Sequence, residues 1–138
     1  ADDAKDAGYS TKKELTAELS SVKEGKIYRI TLHHAGEDPR IALRQNAKLT
    51  KDELLDVQMR LTRMDERSNR GAWTQVTLQL IADHPETRAP DLAESLGLET
   101  KPFKMSVRKL KELGLTESLR VGYRLSPRGE VVLKSLGK

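Results

Sequence analysis

A chain of 138 residues, 36% apolar and 33% charged, has room for one domain of ordinary size, or a smaller one with an extension, but not for two full domains. It has no cysteine, which excludes disulfide frameworks and thiolate metal sites, and no apolar run near the roughly 18 residues of a membrane span. The formal charge of +4 is uneven: residues 87–138 carry eleven Lys and Arg against six Asp and Glu, whereas residues 1–86 carry fourteen against fifteen. An anionic partner is therefore expected at the C-terminal part. The polar, acidic start is unlike a signal peptide, and a cytoplasmic protein that does not enter a membrane is expected.

Residues 1–10 lack apolar periodicity and are expected to be mobile. Thr11 with Glu14 resembles a capping box, opening a short helix to about Val22 with Leu15, Leu19 and Val22 on one face. After Gly25, "KIYRITLHH" alternates Tyr28, Ile30 and Leu32 with Arg29, Thr31 and His33, which predicts a half-buried strand. A turn at residues 36–39 follows. Thr50 with Glu53 then starts a long helix over 51–68, with Leu54, Val57, Leu61 and Met64 along one seam. That seam either packs on its own domain or forms the contact of a homodimer. The helix–strand–helix stretch 1–70 reads as an N-terminal extension, and the polar residues 68–71 as the linker to a second domain, 71–138.

Beyond the linker, helices are predicted over 73–84, 89–96 and 100–113, the last capped by Thr100 and ended by Gly114. Two short extended runs pinched at Gly122 follow, then a helix over about 129–136. Leu115, Leu119, Val121 and Leu125 are expected on the hairpin's buried side. Trp73 and Tyr123 are expected to act as core anchors, and Ser126 with Pro127 to stop the second run and cap the last helix.

"DLAESLGLE", "LKELGLTE" and "YRLSPRGEVVL", in that order, resemble the winged helix-turn-helix of MarR-like and PadR-like bacterial transcription regulators, over about residues 72–136. Leu92 and Leu96 would face the core, Ala93 would let the third helix cross closely, and Gly97 would make the turn. The chain departs from the pattern in two ways: the turn holds one residue more than the tightest form, and Gly122 leaves room only for a short wing. The expected fold class is α+β, mainly helical.

On the third helix, Lys101, Lys104, Arg108 and Lys111 recur at spacings of three, four and three, a single exposed stripe without carboxylates. The resemblance implies that this helix enters the major groove of double-stranded DNA. Arg108 is suited to read guanine, Thr100, Met105 and Ser106 lie within reach of bases, and the lysines are suited to phosphates. Arg120, Arg124 and Arg128 of the hairpin would clamp the backbone beside it. The expected protein is a non-enzymatic transcription regulator, dimeric through Leu54, Val57, Leu61 and Met64, with no cofactor. The rivals are a winged helix that binds an acidic protein, or one accessory to an RNA-binding or enzymatic N-terminal unit. "HHAGEDPR" offers His33, His34, Glu37 and Asp38 as possible ligands, but neighbours on a strand point to opposite faces, so neither a metal nor a catalytic site is expected there.

Overall fold

Eight helices and one two-stranded antiparallel sheet make up residues 3–137, the part of the chain that the computed structural model describes. Residues 1 and 2 of the expected mobile start, and Lys138 at the end of the expected second domain, lie outside the described residues. The chain divides into two compact units, Ala1–Ala35 and Gly36–Lys138. No helix among the described residues is long and apolar enough to cross a membrane.

In the first unit, α1 (Asp3–Asp6) occupies part of the expected mobile start and is followed by α2 (Lys12–Ser20). Thr11 Oγ1 accepts the Glu14 N–H at 3.3 Å, while the Glu14 carboxylate accepts the N–H of Ser10 at 3.0 Å, so the helix begins where its capping residues predict. The strand expected after Gly25 is absent: residues 26–35 form neither helix nor strand. Their alternating pattern describes a surface suited to a sheet, but no described neighbour supplies the ladder a strand requires.

The second unit opens with α3 (Pro39–Gln45), where sequence reasoning placed only a turn. Asp38 caps it by accepting the N–H of Arg40 at 2.9 Å, and Pro39 at the first helical position forfeits an N–H that would be unpaired anyway. Helix α4 (Lys51–Glu66) carries the complete Thr50–Glu53 capping box. It belongs to this unit, not to an N-terminal extension ending at residue 70. Val57 and Leu61 are each 2% exposed within the core, and Leu54 and Met64 pack against it. The seam expected to meet a second copy is thus buried by its own chain. The linker expected at 68–71 is tied in as well: Asp65 Oδ1 accepts the N–H groups of Trp73 and Thr74, at 2.8 and 2.9 Å, and so caps the next helix.

That helix is α5 (Thr74–Asp83), followed by α6 (Ala89–Ser95) and α7 (Thr100–Glu112). Leu78, Ile81, Leu92, Phe103 and Leu110 converge in the core with Leu115 and Val132. Ala93 is buried and Gly97 takes φ +65, consistent with a close crossing and a tight turn. The N-cap of α7 is Glu99, and Thr100 is its first helical residue. Strands β1 (Thr116–Ser118) and β2 (Tyr123–Leu125) pair with Thr116 opposite Leu125 and Glu117 opposite Arg124. Leu115 and Leu125 are buried, but Val121, expected inside, stands exposed at the tip. Finally α8 (Pro127–Leu136) is capped by Ser126 Oγ, which accepts the N–H of Gly129 at 2.9 Å.

Candidate nucleic-acid interface

Helix α7 is amphipathic by its spacing. Phe103, Val107 and Leu110 fill the core at 0%, 2% and 0% exposure, and the opposite side carries Lys101, Lys104, Met105 and Arg108 in solvent. Among the described residues none of these three cations meets a carboxylate, in contrast to Arg40, Arg60, Arg88 and Arg124, which all do. Thr100 is half-buried at the start of the helix. Lys111 is half-buried and donates from Nζ to Ser118 Oγ at 3.2 Å, which orients it along the hairpin, and no carboxylate among the described residues pairs with it. Ser106 turns inward instead of toward a base: its Oγ accepts from Arg70 Nη2 at 3.0 Å.

The hairpin holds its three arginines in three different environments. Arg120 is exposed at the tip and lines a groove of about 360 Å³ with Lys104, Arg88, Ser118 and Tyr123. Arg124 donates from Nε to Glu117 directly across the sheet at 2.7 Å, so its charge is matched before any phosphate arrives. Arg128 is 8% exposed and donates from Nε to the carbonyl of Leu113 at 3.1 Å. It clamps the end of α7, where a cation at a helix C-terminus satisfies free carbonyls and the dipole together.

The hairpin is fixed to the helices around it. Glu86 donates its N–H to the carbonyl of Tyr123 at 3.0 Å, so the loop between α5 and α6 lies along β2. Gly122, at φ +71, lets the turn approach that loop: a Cβ there would run into the Thr87 carbonyl and the Glu86 backbone. Tyr123 meets the ring of Phe103 edge-on with centroids 6.3 Å apart, and burial pushes its hydroxyl pKa up. Ser126 Oγ donates to the Gly114 carbonyl at 2.5 Å, which joins the end of α7 to the start of α8.

Two cations escaped the sequence reading. Arg70 lies in the supposed linker, but its bond to Ser106 brings it beside α7, with no carboxylate partner among the described residues; only a tertiary contact reveals this. Arg88 lies at the groove, tied to Asp91 at 3.0 Å, a hydrogen bond that raises its pKa. Of the residues in "HHAGEDPR", Asp38 is a helix cap, held down to about 2 by its hydrogen bonds with Arg40, first from the guanidinium and then from the backbone. Arg40 reaches on to Glu112 at 3.1 Å, which neutralises the carboxylate one turn beyond Arg108. Compared with family models, with curated proteins and with solved structures, the chain finds no match in any of the three. The chemistry of this face therefore rests on its own geometry.

Proposed function

We propose that the second unit is a winged helix-turn-helix that binds double-stranded DNA, as part of a non-enzymatic transcription regulator. Helices α5, α6 and α7 are its three helices, α7 is the one that enters the major groove, and β1 and β2 form a short wing. The observation that carries this reading is the combination on α7 of a fully buried apolar side with Lys101, Lys104 and Arg108 uncompensated on the other. A surface that needed only water would gain from interspersed carboxylates, as α4 has in Asp56 and Arg60 at 2.9 Å. Arg108 presents the fork suited to guanine, and exposed Met105 suits a thymine methyl group. Lys101, Lys104, Lys111 and Arg120 serve phosphates, whereas Arg124 and Arg128 support the scaffold. Two copies reading two half-sites supply the specificity that one short helix lacks.

Binding of duplex DNA measured across a salt series tests the reading. About four phosphates neutralised per copy give a slope of log affinity on log salt of roughly −3.6. Arg108→Ala is expected to narrow the gap between specific and random duplex, while Lys104→Ala weakens both and flattens the slope by about 1. No binding of any duplex at low salt would end the proposal. Met105, apolar and 58% exposed within the basic face, favours a second reading in which an acidic protein docks there. In that case an acidic partner competes with DNA, and Met105→Ala weakens the protein contact more than the DNA contact.

A further inference from the structure

The stretch 26–35 has what a strand needs except a neighbour. Ile27, Tyr28, Ile30 and Leu32 are 71%, 76%, 76% and 86% exposed. Among the described residues, no backbone N–H or C=O of residues 26–35 is hydrogen-bonded. In extended backbone, Tyr28, Ile30 and Leu32 fall on one side. With Leu15 and Leu19 of α2 they line a groove of about 760 Å³, to which the alternate positions 27, 29 and 31 also contribute. An unmade ladder and an apolar face thus lie on one short segment, a combination that invites another strand.

The same stretch of a second copy meets both requirements, and in one register. Antiparallel pairing about Ile30 sets Ile30 opposite Ile30, Tyr28 opposite Leu32, Arg29 opposite Thr31 and Ile27 opposite His33. Apolar residues then meet apolar residues on one face, and no two permanent charges are opposed. A shift of one residue sets Arg29 against Ile30, and centring on Arg29 opposes two guanidinium groups. Arg29 is already matched within its own copy by Asp3 at 2.8 Å. Charge also favours this unit: residues 1–35 carry six Lys and Arg against six Asp and Glu, whereas residues 36–138 carry nineteen against fifteen and repel their like. A two-stranded ribbon alone is marginal, but a helix packed on one face adds the apolar cover it needs, and Leu15 and Leu19 already border the groove.

We propose that two copies of the chain associate by antiparallel pairing of residues 26–34 about Ile30. The pairing is independent of the DNA reading and is tested without DNA. Because the chain has no cysteine, one introduced thiol reports alone. In Ile30→Cys the two thiols face each other with Cα atoms about 4.5–5.5 Å apart, within reach of a disulfide. In Tyr28→Cys or Leu32→Cys, the same position in the other copy lies roughly 13 Å away. Mild oxidation is expected to give a covalent dimer of twice 15.5 kDa from Ile30→Cys at least tenfold faster than from the other two. A mixture of Tyr28→Cys and Leu32→Cys chains should cross-link to each other.

Sedimentation supplies the second measurement. The unaltered chain should have the dimer mass, and Ile30→Lys should be a monomer whose Trp73 fluorescence, which reports the second unit, is unchanged. Equal cross-linking at all three positions, no cross-linking, or a monomeric unaltered chain overturns the proposal.

Discussion

Residues 26–35 and the hairpin 116–125 both alternate apolar with polar residues, and they differ in what surrounds them. The hairpin makes its own ladder, lays Tyr123 on Phe103, receives the Glu86 N–H, and buries Leu115 and Leu125. The earlier stretch has no ladder and leaves four large apolar residues in solvent. An alternating pattern specifies which side wants to be dry, while the partner that dries it lies elsewhere, in the same chain for one segment and beyond it for the other.

The strongest way to break this contrast is at the glycines. Gly122→Ala must hold a Cβ at φ +71 and push aside the Thr87 carbonyl, a loss of about 2–4 kcal/mol. Gly25, at φ +119, has nothing within 4 Å of a Cβ. Gly25→Ala should leave the unfolding of the second unit, followed by Trp73 fluorescence in urea, unchanged. If the two variants shift that transition equally, the hairpin is not anchored as described.

A smaller effect of opposite sign is expected at Thr116. It is fully buried, and its Oγ1 is the only buried side-chain N or O atom among the described residues with no hydrogen-bond partner. Thr116→Val keeps the shape, removes the unsatisfied hydroxyl and should stabilise the unit by about 1 kcal/mol in the same experiment. A loss of stability would mean that the hydroxyl has a partner in solution.

The smallest effect marks the place where the second unit begins. The Asp38 carboxyl has its pKa lowered from 3.8 to about 2, so its contribution is complete above pH 4 and fades as the pH falls through about 2. Carboxyl resonances followed by NMR should place Asp38 near 2, and Arg40→Gln should return it toward 3.8. An unshifted Asp38 would remove the cap on α3.

Much of this architecture could be read locally. Thr50 and Glu53, Ser126 and Pro127, and Gly114 after Leu113 act within a turn of their own position, and each starts or ends a helix as its chemistry predicts. The basic side of α7 follows in the same way from spacing alone. What could not be read depends on distant chain. Whether Leu61 met a second copy or its own core was decided by α5 and α8, and the fates of Arg124 and Arg128 by Glu117 and the Leu113 carbonyl. Helix α3 was missed because seven residues give too short a span for periodicity, although Asp38 and Pro39 announced it.

Arg128 has a wider consequence. The free carbonyls at the end of α7 concentrate the negative end of the helix dipole where Lys111 and the hairpin begin, and the Arg128 guanidinium lies against one of them. A cation held at that carbonyl offsets part of the dipole's negative end beside Lys111. Arg128 thus bears on the charge of the exposed side of α7 from within the scaffold, through the helix end that it caps.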